Sequence, residues 1–446
     1  MEIDHFISVF EKNKDKTAII WKGNEFSYAW LLSKYQEWLT HLKYKKVKNN
    51  SVVVILADFS PTSIALLIAL IQKRSIIIPL NSSIESKLNE FIYIAQPELQ
   101  IEIESDDQTS INFLENNSGN ELYKKLKKKN KPGLVLFSSG STGKSKASVH
   151  DLSYLLERFL KPRKTLITVT FLLFDHIGGL NTLFYILSNA GTIVTTKNRK
   201  PENILKLIDR YKIELLPTSP TFLNLLLISE KYKSFNLKSL KIISYGTEPM
   251  PQTTLNKLSL QFPEITFKQT YGLSEVGILQ SKSESSDSLW VKIGGKDNET
   301  RIVNGMLEIK SKSAMLGYLN APNPFTNDGW FKTGDRVETK GDSLKILGRK
   351  SELINVGGEK VYPQEVENIL LKIDEVLDAT VYGEKNLIIG NIVCAKIQLK
   401  TGLKHSLNLN KKIKNYCTNY LESYKVPVKI EFESQINFNS RFKKSR

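Results

Sequence analysis

The chain has 446 residues, 41% hydrophobic and 24% charged, and a net charge of +17. This is a globular composition, long enough for more than one domain. Its two cysteines, Cys394 and Cys417, exclude a zinc cluster or a disulfide framework and fit a reducing, cytoplasmic compartment.

The first stretch, MEIDHFISVFEKNKDK, mixes charges and has no long apolar core, so no signal peptide is expected. TAIIW (17–21) reads as a strand and SYAWLLSKYQEWLTHL (27–42) as an amphipathic helix. SVVVILA (51–57), SIALLIALI (63–71) and SIIIP (75–79) read as strand, helix and strand. Lys73 and Arg74 interrupt that apolar region, which rules against a membrane span. KKLKKKNK (124–131) reads as a solvated loop. The positive charge would concentrate anions such as nucleotides, nucleic acid or an acidic carrier protein, although joint enrichment in Lys, Ile and Asn also produces it. Without interleaved aromatics, a nucleic-acid partner is not expected.

The alternation resumes with strands at 165–170, 192–196, 213–217, 240–245 and 265–270. Helices are expected near 177–188, 202–211, 220–229 and 252–260. Such alternation implies parallel sheets covered by helices. After about residue 290, RIVNGMLEIKS and DSLKILGRK look like antiparallel strands. From about 349 a further α+β unit begins, with a helix at 365–373, the strands ATVYG and NIVCAKIQL, and a helix in LNKKIKNYCTNYLESY.

PGLVLF reads as a strand that runs straight into SSGSTGKSK (138–146). Glycines let successive backbone N–H groups form an anion nest. Ser139, Ser141 and Thr142 add hydroxyls, with Thr142 placed to approach a metal, and a lysine adds a point charge for outer phosphates. A P-loop of the form GxxxxGK[ST] would need glycine at 138, where this chain has serine, so a P-loop phosphotransferase is the weaker reading. TYGLSEVG (270–277) follows a strand, so Ser274 and Glu275 fall at a strand end, where open α/β sheets bind ligands. A single carboxylate there suits magnesium held mainly by water and phosphate. GWFKTGD ends in Asp335, an acceptor suited to ribose hydroxyls.

Together, SSGSTGKSK, YGLSE, GWFKTGD and GRKSELINVGGEKVYPQEVE resemble, in order and spacing, the adenylate-forming (AMP-binding) superfamily, closest in type to acyl-CoA ligases. TAIIWKGNEFSYAWL, IALLIALIQKRSIIIPLN and MLGYLNAP extend the resemblance over nearly the whole chain. It implies an α/β fold: a large N-terminal domain of α/β sheets with a β-rich subdomain (1–348), and a small, mobile α+β C-terminal domain (349–446). It implies activation of a carboxylic acid, fatty or other, by ATP and Mg2+ to an acyl adenylate with release of pyrophosphate. Transfer then follows to coenzyme A or to the phosphopantetheine of an acidic acyl carrier protein.

The same resemblance assigns phosphate contacts to Ser139, Gly140, Ser141, Thr142, Gly143 and Lys146, although Ser145 replaces the family's usual proline. Gly246, Thr247 and Glu248 would line the adenine and acyl pockets, and Tyr271 would stack near adenine. Glu275, with Thr142, would hold magnesium, beside Ser274. Asp335 and Arg349 would hold the ribose, and the loop Val356–Glu359 would approach during the thiol step. Ser351 stands at the family's hinge. At the C-terminus NSRFKKSR aligns Lys443 with the family's catalytic lysine and Arg446 with its arginine, but Phe442 replaces a glycine and Lys444 is a rival.

FDHIGGL (174–180) bears on the substrate. His176, Gly178 and Gly179 match acyl-CoA ligases, whereas Phe174–Asp175 resembles amino-acid-activating relatives. Asp175 as a helix cap, and His176 as a packed core residue, are equally compatible readings. A catalytically degenerate, basic nucleotide-binding protein is the remaining alternative.

Overall fold

VVVIL and IIIPL are apolar at every position, as strands covered on both faces must be. In the computed structural model they are the buried, parallel strands Val52–Leu56 and Ile76–Leu80. The structure describes residues 2–116, 119–139, 144–295, 297–434, 436–439 and 443–444, without the side chains of Ser83, Glu85 and Ser139. Ser60 caps the intervening helix Pro61–Gln72 through a reciprocal bond with Ser63, and Pro61 supplies a preset first turn.

Two seven-stranded sheets carry the large lobe. One runs Thr266–Gln269, Ile242–Tyr245, Leu215–Thr218, Ile167–Val169, Thr192–Val194 and Thr17–Trp21 in parallel, closed by the antiparallel Asn24–Ser27. The other sets Gly133–Ser139 beside Ile76–Leu80, with Ser145–Asp151 returning antiparallel. Helices pack between them, and the core they share includes Phe6, Leu66, Leu134 and Phe184. A six-stranded antiparallel sheet spans 281–349 and includes Phe331–Lys340 and Ser343–Arg349.

The last hundred residues have their own core, from Ile354 and Val366 to Cys417. Val376–Asn386 and Gly390–Leu399 form its central hairpin, with the helices Pro363–Leu370 and Leu407–Tyr420. An exposed one-turn segment, Lys350–Glu352, leads from the large lobe into this small one. Among the described residues no helix is long and apolar enough to cross a membrane.

One element departs from the sequence reading, and two others gain a definite form. KKLKKKNK is not a loop: five of its six lysines lie on the helix Glu121–Lys129, capped by Asn120 and anchored by buried Tyr123 and Leu126. Lysine stems cover the apolar stripe while their ammonium groups stay in water. The mixed-charge N-terminus is the helix Glu2–Lys12, whose Ile3, Phe6 and Phe10 are buried. The serine–glycine segment joins two antiparallel strands, with Ser139 paired to Ser145. A P-loop leads from strand to helix, so this topology removes the P-loop reading.

The chain's last described residues return to the small lobe. Lys444 pairs with Phe438 in an isolated bridge. Its Nζ lies 2.7 Å from Asp378 Oδ1 and donates to the Ala379 carbonyl at 2.6 Å, with the two charged side chains only 7% and 5% exposed. Burial alone would lower the Lys444 pKa, but attraction to Asp378 and then Glu367 outweighs it and leaves it raised. Removing one member of a buried pair leaves the other charge uncompensated. Lys444→Met should therefore destabilise the small lobe by about 3–5 kcal/mol, measured as lost hydrogen-exchange protection in the two hairpin strands. Adding Asp378→Asn should recover at least about 1 kcal/mol; unchanged protection in the single variant would refute a stabilising role.

Candidate active site

The C-terminal ends of parallel strands converge on one opening, as the topology of open α/β sheets requires. Thr218 ends one strand, Gly246 and Thr247 follow another, and Thr270 follows a third; Ser138 arrives from the second sheet. These residues line a cavity of about 190 Å³ together with His176, Ser274, Glu275, Arg349 and Lys443. Arg349 comes from the end of the antiparallel sheet and Lys443 from the C-terminal tail. The cavity is therefore bounded by both lobes.

Close backbone contact accounts for one glycine of the cavity and for another beside it. A Cβ at Gly246 would sit 2.6 Å from Thr270 Oγ1 and 2.7 Å from the Thr270 carbonyl, and one at Gly179 would sit 2.1 Å from the Leu173 carbonyl. Thr247 is unusual: a β-branched residue at φ 74°. Such a conformation costs on the order of 1–3 kcal/mol and persists only where its surroundings enforce it, commonly at functional sites.

Glu275 is held from three directions. Its backbone carbonyl accepts from the Met315 N–H at 2.7 Å, and its Oε1 accepts from the Tyr318 hydroxyl at 2.8 Å. One residue earlier, the Ser274 carbonyl accepts from His150 Nε2 at 2.6 Å. Lys146 does not line the cavity. Its ammonium lies over the Tyr318 ring, 5.5 Å from the centroid, and so reaches Glu275 through that tyrosine.

Asp335 and Arg349 are opposite one another on adjacent strands, and Arg349 Nε donates to Asp335 Oδ1 at 3.1 Å. The Tyr271 hydroxyl donates to the other carboxylate oxygen. Burial raises the Asp335 pKa, with Arg349 and Tyr271 opposing the shift. Burial, then the charge of Asp335, holds the Tyr271 phenol well above its usual range. The Tyr271 ring belongs to the apolar core of the antiparallel unit and does not line the cavity. It is a strut beneath Asp335, not the stacking wall expected from the motif.

Glu248 likewise does not face the opening. Its Oε1 accepts from the Thr221 N–H at 2.8 Å, at the start of the helix Pro220–Ser229, where a carboxylate complements the helix dipole. Burial raises its pKa, countered by Thr221 and then by Lys444 and Lys443. Gly140, Ser141, Thr142 and Gly143 lie outside the described residues, as do the Ser139 side chain, Phe442 and Arg446.

The two tail lysines separate cleanly: Lys444 is bound to Asp378, whereas Lys443 lines the cavity. The small-residue motif resolves as well. His176 is the N-cap of the helix Ile177–Leu187, its Nδ1 accepting from the Gly178 N–H at 3.0 Å. The neutral ring then carries its proton on Nε2. Asp175 is not the cap and does not line the cavity; its charge acts on Arg199. Sequence reasoning missed Tyr318 and His150. Tyr318 sits in MLGYLNAP, whose resemblance flagged the segment but no role. His150 had no local signal, because its contact spans 124 residues.

With this geometry in view, comparison with known proteins is informative. VraA of Staphylococcus epidermidis, provisionally described as a long chain fatty acid-CoA ligase, is 25% identical over 446 residues, spanning 96% of this chain and 92% of VraA. The indoleacetate–CoA ligase of Aromatoleum aromaticum is 24% identical over 435 residues, spanning 86% and 85%. The anthranilate CoA ligase AuaEII with anthranoyl-AMP shares the fold at a TM-score of 0.82 and 18% identity, covering 98% of this chain and 95% of its own. ATP-bound MatB from Rhodopseudomonas palustris does so at 0.81 and 20%, covering 99% and 97%. Residues 6–319 match the AMP-binding enzyme family and 365–443 its C-terminal domain, so the chain belongs to that family.

His150 makes the site segment acid-sensitive. Burial holds its imidazole at about 4, against 6.5 for the free residue, despite backbone hydrogen bonds that pull upward. As pH falls from about 6.5 to about 4 the unfolded chain binds a proton that the native state refuses, so stability falls through that window by about 3 kcal/mol. Above it this contribution is constant. Denaturant titrations of His150→Asn should show a flatter dependence of stability on pH across that window; an unchanged slope would exclude His150 as its source.

Proposed function

We propose that the chain activates a carboxylic acid with ATP, forming an acyl adenylate and pyrophosphate, and then transfers the acyl group to a thiol. The carrying observation is that Ser138, Ser274, Glu275, Arg349 and Lys443 border one cavity. Family membership supports ATP, magnesium and coenzyme A as the reactants this chemistry needs. The phosphopantetheine of an acidic carrier protein is the second acceptor, favoured by the net charge of +17.

In the first step a carboxylate oxygen attacks the α-phosphorus. Its new O–P bond forms as the bond to pyrophosphate breaks. Both reactants are anions, so positioning and charge neutralisation carry the catalysis. Lys443 opposes the charge developing between carboxylate and α-phosphate. Arg349, oriented by Asp335, faces the ribose. His176 and Thr247 border the acid, and Gly246 lets the nucleotide approach the backbone. Residues 139–143 and Lys146 serve the outer phosphates. A single cavity carboxylate, Glu275, with the Ser274 hydroxyl beside it, fits a magnesium ion that keeps most of its water and phosphate ligands. Bound there, the ion would neutralise charge on the departing phosphates.

In the second step the thiol sulfur attacks the acyl carbon, a C–S bond forms, and AMP leaves with the electrons of the C–O bond. We place the domain boundary at 348/349 and the hinge at Ser351, in the exposed Lys350–Glu352 turn. Hinges there need no particular residue type. Rotation about it would withdraw Lys443 and bring Val356–Glu359, with Gly357 and Gly358 at positive φ, to the thiol. The two free, buried cysteines suit a cytoplasmic setting.

Acid-dependent release of pyrophosphate and AMP tests the reading; release of ADP would refute it. Lys443→Ala should slow adenylate formation by about 10²–10³-fold while largely sparing thioester formation from supplied acyl adenylate, and an equal loss in both half-reactions would remove Lys443 from its role. Glu275→Gln should raise the magnesium concentration for half-maximal pyrophosphate release by at least about tenfold. An unchanged magnesium curve would argue against Glu275.

A further inference from the structure

One stretch of the cavity wall is the helix Ile177–Leu187, which presents Gly178, Asn181 and Thr182, and the lining also includes the apolar Leu172 and Ile278 and the hydroxyl of Ser244.

What lies beyond that stretch limits chain length. Ile177, Asn181 and Ile278 lie between the cavity and a crevice of about 10 Å³, walled by Leu134, Leu152, Phe159 and Phe184. These side chains are at most 6% exposed and belong to the main core of the large lobe. The crevice is the size of one water. Threading an alkyl tail through it would displace close-packed side chains, which interiors resist.

The stretch is also polar where it need not be. In IGGLNTLFYIL the side chains of Ile177, Leu180, Leu183 and Phe184 are buried apolar, and Asn181 interrupts them. Its amide makes no side-chain hydrogen bond among the described residues, and neither does the Ser244 hydroxyl across the cavity. Thr182 differs, its hydroxyl already donating to the Gly178 carbonyl. An apolar tail would strip water from the amide and the hydroxyl without replacing it. The charged lining residues are Glu275, Arg349 and Lys443, which the ligase reading assigns to the nucleotide, and none of them lies on the helix Ile177–Leu187. Arg158 lies behind it, along the crevice, and donates to the Ile278 carbonyl.

We infer that the acid is short and carries an uncharged hydrogen-bonding group, a hydroxyl, oxo or amide, at its far end, and that Asn181 is the specificity-determining residue that reads it. This rests on the ligase reading above and narrows it away from fatty acids.

Pyrophosphate release should be compared across straight-chain acids from acetate to palmitate, short acids bearing a hydroxyl, oxo or amide group with their unsubstituted analogues, and short dicarboxylic acids. The best polar short acid should exceed its unsubstituted analogue in kcat/KM by at least about tenfold, since a site built to hydrogen-bond discriminates against a missing partner. Asn181→Leu should bring that ratio close to unity. A preference for octanoate or longer, a dicarboxylic acid as best substrate (which would point to Arg158), or an unchanged ratio in Asn181→Leu would overturn the inference while leaving the ligase reading intact. The wild-type profile decides the first two without any variant. If ATP binds but no acid elicits pyrophosphate, the ligase reading itself fails, and the inference with it.

Discussion

A lysine buried against an aspartate fixes where the end of this chain can go. Lys444 cannot leave Asp378 without stranding that carboxylate in a region closed to water. Its neighbour therefore has little freedom. Asn439 closes the turn from both sides, its side chain accepting from the Lys443 N–H and its own N–H donating to the Lys443 carbonyl. The Lys443 side chain is thereby carried to the cavity. The charge of Lys443 is felt by Asp335 and Glu248, two buried acids of the large lobe. The ion pair in the small lobe thus sets an electrostatic contact between the lobes, and any rotation of the small lobe moves both lysines together.

The cavity wall follows a second rule: two of its charged groups, Arg349 and Glu275, are each oriented by a partner one layer back. Asp335 holds Arg349, and Tyr271 holds Asp335. Tyr318 holds Glu275, while His150 and Met315 fix the backbone around it. These supporting contacts come from distant parts of the chain. They convert flexible side chains into fixed donors and acceptors, which is what a reaction between two anions requires. Local strain at Thr247 is the visible cost of that order.

Much of the large lobe was legible in the sequence because its signals are local. Apolar runs such as VVVIL and IIIPL mark buried strands, and SIALLIALI marks a buried helix. The lysine-rich segment was misread for a physical reason. Charge suggested solvent, but Tyr123 and Leu126, three residues apart, form a helical stripe that outweighs it. The serine–glycine turn shows the complementary problem. Its composition announces anion binding whether a helix or a strand follows, and only the pairing of Ser139 with Ser145 distinguishes the two.

The amino-acid order alone determined the strand–helix alternation, the lobe texture and the sequence of motifs, since periodicity and turn chemistry act over a few residues. It favoured Lys443 by alignment but held nothing that fixed Lys444 elsewhere. Adjacent residues in extended backbone point to opposite sides, so one of the pair had to face the cavity and the other the small lobe. The choice was made by Asp378, 66 residues away in sequence. The direction of Tyr271 was settled in the same way, by Asp335, because a side chain's direction depends on partners that only folding brings near.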